Sequence, residues 1–230
     1  MQSSARKHFR IRSFVRRDGR RTAAQDRALT ELAPHFVLDV ATGMLDHQQV
    51  FGRAAPSLLE IGFGTGVSLL ASANDNRDKD FIGVETHKPG IGALLMGIET
   101  LALTNLRIYY ADVVDVLKLC IPDSSLDGIQ IFFPDPWQKR RHQMRRLIQP
   151  DFVATAIQKL KQHGTLHLAT DWEDYSKHML KVVSQEQQLE NLAGQQQFAE
   201  RSPYRPILTK FEQRAQREGR KVWDLQLQKR

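Results

Sequence analysis

Only one cysteine, Cys120, occurs in the 230 residues. An intramolecular disulfide is therefore excluded, and a reducing compartment is the expected setting. No apolar run approaches the roughly 18 residues needed to cross a bilayer. The richest, residues 91–103, is interrupted by Glu99 and two glycines. No apolar stretch follows the basic N-terminal residues, which excludes a secretory signal. Internal repeats are absent, and the one biased stretch, 185–197 with six glutamines, reads as a poorly constrained connection. Hydrophobic residues at 41% and charged residues at 26% exclude global disorder and a fibre.

What is present is basic charge in three places. The net charge of +7 resolves into +7 over residues 1–21, +5 over 139–146 and +4 over 214–230, which leaves −9 on the rest. An acidic body with three basic segments suits a polyanionic partner, most simply a phosphate backbone. Residues 1–17 are rich in arginine, contain serine and lack acids. That composition fits a mitochondrial transit segment as well as a functional arm.

From residue 57 onward, short β-branched runs alternate with longer helical patterns. Strands are expected at 57–61, 80–84, 106–110, 126–133, 164–169 and 221–227. Helices are expected near 22–33, 66–75, 89–102, 112–119, 148–162, 172–184 and 209–218. Apolar strands spaced by helices mean a parallel sheet buried on both faces, and such sheets place ligands beyond the carboxyl ends of their strands. The expected fold is a doubly wound α/β sheet, with a basic arm over 1–21 and a single domain over 22–230.

The candidate site residues follow those strand ends. The first strand runs into Glu60-Ile61-Gly62-Phe63-Gly64-Thr65-Gly66. Glycines here allow a tight turn close to a ligand, and the following helix N-terminus attracts an anionic group. The spacing is G-x-G-x-G rather than the dinucleotide G-x-G-x-x-G. Glu60 would repel a pyrophosphate but suits an ammonium or sulfonium ion, which favours S-adenosylmethionine over a dinucleotide. Glu85 ends the second strand, where a carboxylate accepts both ribose hydroxyls. Asp112 follows the third, placed to accept from an adenine amino group or to cap a helix. The fourth strand leads into Phe133-Pro134-Asp135-Pro136-Trp137 and then a basic run. Prolines stiffen that turn, and Trp137 suits stacking on a base.

These segments resemble the tRNA (guanine-N7)-methyltransferase family. The resemblance rests on RSFVRRDGR at 12–20, EIGFGTG at 60–66, GVETHKPG at 83–90, FPDPWQKRRH at 133–142, ATDW at 169–172 and TKFEQRAQREG at 209–219. It implies a Rossmann-like class I methyltransferase that uses S-adenosylmethionine to modify guanosine 46 in the tRNA variable loop. By resemblance, Glu60, Glu85, Asp112 and Asp135 contact the donor with Gly62, Gly64 and Gly66, and Asp135 is also the active-site acid. Lys139, Asp171, Thr209, Lys210, Phe211 and Glu212 contact the substrate. Arg141, His142, Arg145 and Arg146 touch RNA, while Met144 departs from a run that is usually more basic. The match at 12–20 turns the transit-segment alternative into an arm of the mature protein, in a cytoplasmic monomer or homodimer.

Guanine N7 carries a lone pair and no proton, so its methylation requires no general base. A catalytic His or Cys is not expected, nor is a metal: His163 and His167 flank a turn and strand rather than share a helix face. Cys120 is expected to be a small buried residue. Three alternatives remain: a methyltransferase for an exocyclic base amine, a non-catalytic RNA-binding module on the same fold, and a dinucleotide oxidoreductase. Guanine selection is expected from Asp171 and Glu212, each of which also suits a helix N-terminus.

Overall fold

The computed structural model describes residues 13–14, 19–202, 205 and 207–230. Most of the expected arm, including much of the 12–20 motif, lies outside the described residues.

The chain begins with α1 (Ala23–Glu31), α2 (Ala33–Phe36), the two-residue β1 (Val37–Leu38) and α3 (His47–Phe51). Five strand–helix units follow: β2 (Ser57–Ile61) and α4 (Val67–Asp75), β3 (Asp80–Glu85) and α5 (Lys88–Leu101), β4 (Leu106–Tyr110) and α6 (Val113–Leu119), β5 (Leu126–Phe132) and α7 (Pro150–Lys159), β6 (Leu160–Thr170) and α8 (Glu173–Val183). The chain closes with β7 (Leu189–Asn191), α9 (Lys210–Arg217) and β8 (Trp223–Lys229).

The eight strands form one sheet in the order β1-β4-β3-β2-β5-β6-β8-β7. Pairings from β1 to β6 are parallel, while β8 runs antiparallel to both β6 and β7. The order reverses between β2 and β5, so a crevice opens beyond their carboxyl ends. Alternation along β3 explains the double burial: Ile82 and Val84 pack into one core with α6, α7 and α8, and Phe81 packs into the other with α1 and α5.

Two expectations needed correction. The helix foreseen to 162 stops at Lys159, because Leu160 already pairs with Leu126 across a register shift in β5–β6. The glutamine-rich stretch contains β7, anchored by buried Leu189 and paired to the end of β8. Cys120 is buried, with its thiol near the Val40 carbonyl.

The loop after β2 rests directly on α5. A Cβ on Gly90 would lie 2.1 Å from the Gly64 carbonyl oxygen, a backbone atom that cannot swing aside. Gly90→Ala should therefore cost about 2 kcal/mol through overpacking. That is roughly 4–8 °C in Tm for a chain of this size. An unchanged melting curve would contradict this close contact.

Candidate functional site

The glycine loop turns with Gly62, Gly64 and Gly66 at φ of 73°, 61° and 77°, conformations that disfavour a Cβ. Gly66 caps the start of α4, whose first backbone N–H groups face the crevice end of the sheet. Before the loop, Glu60 is buried one residue before the carboxyl end of β2, beside Gly83 and Gln130 on the flanking strands. Its Oε2 has no hydrogen-bond partner. Burial pushes its carboxyl up to about 8. A buried carboxylate with an open oxygen is chemically incomplete, and a cationic ligand atom would complete it.

Glu85 fastens the neighbouring turn. Its Oε1 accepts from the Thr86 and His87 amides at 2.6 and 3.0 Å, and its Oε2 accepts from the Gly64 amide at 2.9 Å. The Thr86 hydroxyl also donates to Oε1 at 3.5 Å, so only Oε2 keeps a position, for one further donor rather than two. Asp112 caps α6 by accepting from the Val114 amide at 3.1 Å.

Beyond β5 the chain enters the proline turn. Phe133 and Trp137 both adopt left-handed φ values, 53° and 44°, and the Phe133 amide donates to the Ala169 carbonyl at 2.8 Å. Such conformations cost on the order of 1–3 kcal/mol each and persist where surrounding contacts fix them. Asp135, between the two strained residues, is exposed at the crevice. Trp137 donates from Nε1 to the Ser13 carbonyl at 3.0 Å, and the Arg145 guanidinium lies 4.0 Å from its ring centre. One face of the ring is thus covered by Arg145.

The basic run divides by exposure. Lys139 and Arg141 are exposed; His142 and Arg145 are half-buried around Trp137. Arg146 is buried: it donates from Nε to the Pro136 carbonyl at 2.9 Å, pairs with Asp174 and lies over the Tyr175 ring. It holds the proline turn from behind.

At the neighbouring strand ends, Asp171 follows β6 and pairs with Arg220, which also meets Glu218 at 2.7 Å. Thr209 and Glu212 form a reciprocal capping box at the start of α9. Lys210 and Phe211 are exposed, and Phe211 stacks on Phe133 at 5.9 Å with planes 12° apart. Glu212 is buried and also meets Arg201 and Arg205, each at 3.0 Å.

The structure thus gathers Glu60, Glu85, Asp112, Asp135 and Asp171 at successive carboxyl ends of parallel strands, with Thr209–Glu212 beside the proline turn. Sequence reasoning missed Arg201 and Arg205, isolated arginines that no local motif marks, and read Arg220 only as part of the basic segment 214–230. Among the described residues, no group of three His, Cys, Asp or Glu side chains is arranged to hold a metal. His167 instead meets Asp224 at 2.8 Å inside the fold.

The raised carboxyl of Glu60 has a consequence for stability. Between the usual carboxyl range and pH 8, the folded state keeps a proton that the unfolded state has lost. Its contribution is complete at acid pH and is lost as pH rises through 8, at up to about 1.4 kcal/mol per pH unit. Denaturant titrations of ligand-free protein from pH 5 to 9 should show wild type losing stability relative to Glu60→Gln. Parallel curves for the two proteins would contradict a neutral buried Glu60.

Comparison with known proteins identifies the family. The family model described as "Putative methyltransferase" matches residues 54–225. A tRNA (guanine-N(7)-)-methyltransferase of Alcanivorax borkumensis is 52% identical over 96% of this chain and 92% of that protein. A relative of the same name from Idiomarina loihiensis is 50% identical over 97% of this chain and 91% of its own. Among solved structures, the 16S rRNA methyltransferase KamB superposes with a TM-score of 0.57 at 13% identity, covering 79% of this chain and 91% of KamB. TrmN from Thermus thermophilus gives 0.53 at 14% identity, covering 80% of this chain and 47% of TrmN. The structural likenesses establish the class I methyltransferase fold. With half of all positions identical along nearly its full length, this chain belongs to the tRNA (guanine-N(7)-)-methyltransferase family.

Proposed function

We propose that this protein methylates N7 of a guanosine in tRNA, at position 46 of the variable loop, with S-adenosylmethionine as donor. The observation that carries the donor assignment is the buried carboxyl of Glu60, with an unpaired oxygen, beside the glycine loop and next to the reversal of strand order. In this reading, Glu60 receives the ammonium and Glu85 a ribose hydroxyl. Gly62, Gly64 and Gly66 let the backbone approach, the start of α4 meets the carboxylate, and Asp112 takes the adenine amino group. Bound there, S-adenosylmethionine supplies an electrophilic sulfonium methyl; transfer leaves the C–S electron pair on sulfur and moves positive charge to the guanine imidazole ring.

The chain's own residues then have two tasks. The first is alignment of N7 with the methyl, which by itself contributes roughly 7–11 kcal/mol in well-oriented systems. Asp135, fixed between strained Phe133 and Trp137, and the Phe133–Phe211 pair form the wall that orients the base. The second is stabilisation of the charge that develops on the base, a role for the exposed Asp135 carboxylate. No residue needs to remove a proton. Asp171 meets the base edge, and Lys139, Arg141, His142, Arg145 and the 1–21 arm meet phosphates.

The test is incubation with methyl-labelled donor and bulk tRNA, followed by nucleoside analysis. Label should appear in 7-methylguanosine. Label in N2-methylguanosine or N6-methyladenosine would overturn the reading.

Two variants follow from the division of roles. Glu85→Ala should weaken donor affinity roughly tenfold to a hundredfold, through loss of one charge-assisted hydrogen bond. Its tRNA affinity should be near wild type, and unchanged donor affinity by calorimetry would refute the assignment. Lys139→Ala and Arg141→Ala should each reduce the slope of log tRNA affinity against log salt by roughly 0.7–0.9. Arg146→Ala should leave that slope intact and lower Tm, because its guanidinium serves Pro136 and Asp174. Equal slopes for wild type and both exposed-residue variants would contradict the phosphate assignment.

A further inference from the structure

Glu212 sits inside the segment whose resemblance implies substrate contact, yet it is only 2% exposed. Its Oε2 accepts from the Thr209 amide at 2.9 Å, and its Oε1 accepts from Arg201 Nε at 3.0 Å. Arg205 Nη1 lies 3.0 Å from the same Oε1, as a charge pair without hydrogen-bond alignment. A guanine edge would have to displace these partners to reach it. The carboxylate organises the segment from within.

Arg205 is the centre of that organisation. Its side chain is fully buried and donates from Nη2 to Asp224 Oδ2 at 2.7 Å, on β8. Asp224 Oδ1 lies 2.8 Å from His167 Nε2 on β6, and the His167 ring stands edge-on to Phe132 at 4.8 Å. The guanidinium carbon lies 5.5 Å from the Phe132 ring centre and 5.6 Å from that of Phe133. One buried cation therefore joins the antiparallel end of the sheet, the last residues before the proline turn and the start of α9. The start of α9 carries Phe211, 56% exposed and stacked on Phe133.

We propose that Arg205 is a positioning residue for methyl transfer: through Glu212 and the two phenylalanines it sets where Phe211 and the Asp135 turn hold the target base. The inference rests on the function proposed above and assigns a task to a residue outside every motif that suggested it. Because phosphate contacts dominate tRNA affinity, a misplaced base wall lowers kcat far more than it raises KM. The donor side, at the ends of β2, β3 and β4, lies away from this network and keeps its affinity.

The experiment compares wild type, Arg205→Lys, Glu212→Gln and the double variant. Donor affinity, Tm, and kcat and KM for tRNA are measured for each, with 7-methylguanosine as product. Arg205→Lys keeps the positive charge but not the planar fork that reaches Asp224 and Glu212 together. Expected is a fall in kcat of roughly ten- to a hundredfold. KM and donor affinity should each remain within about threefold of wild type, because the phosphate contacts and the donor side are untouched. Glu212→Gln should show the same split, and the double variant should be no slower than the slower single, since both act on one element. Wild-type kcat in both singles, or multiplicative losses in the double, would overturn the inference. So would unfolding of Arg205→Lys with normal kinetics in Glu212→Gln, which would leave Arg205 a purely structural role. A wild-type reaction without 7-methylguanosine would overturn the proposed function and this inference with it; normal wild-type chemistry with unchanged variants overturns the inference alone.

Discussion

A carboxylate held inside a parallel sheet has few ways to be comfortable, and Glu60 has none of the usual ones. It lies in the central strand with apolar residues on both faces and one oxygen unpaired. Burial favours its neutral form, which raises its carboxyl to about 8. A hydrophobic side chain at this position would make a more stable sheet. The arrangement makes chemical sense when a cation arrives, because the same burial that penalises the empty carboxylate strengthens its attraction to a positive group. The glycine loop, the Glu85 turn and the close approach of Gly64 to Gly90 fix the backbone just beyond this point.

The remaining acids solve the opposite problem. Glu85 and Asp112 are committed to backbone amides, Asp171 to Arg220, and Glu212 to two arginines and an amide. Each fixes a segment of backbone at the crevice. The crevice backbone is therefore fastened by contacts within the chain itself, which suits a reaction that needs alignment more than proton transfer. Strain at Phe133 and Trp137 belongs to the same economy: contacts from Ala169 and Ser13 hold a turn that the isolated peptide would abandon.

The fold was legible because parallel strands buried on both faces are continuous apolar runs. Residues 57–61 and 106–110 were read to their ends, and the glycine loop and FPDPW turn marked the strand ends between them. The short β7 was not, since only Leu189 of its three residues is buried and its neighbours are glutamines. The charge reading failed for Arg146, which shares its run with solvent-facing arginines but turns inward to Pro136 and Asp174. Arg205 was invisible for a related reason. Its partners Glu212 and Asp224 come from other elements, and burial of an arginine depends on a tertiary arrangement that no local pattern encodes.

The central claim is that Glu60 is neutral in the free protein and becomes charged against the donor. Proton exchange on binding reads this directly. Calorimetric titration with S-adenosylmethionine at pH 6.5, in buffers of different ionisation enthalpy, should show close to one proton released per donor bound, and Glu60→Gln should abolish the release. Donor binding to the wild type with no proton released would contradict the account, because Glu60 would then be ionised before the donor arrives or untouched by it.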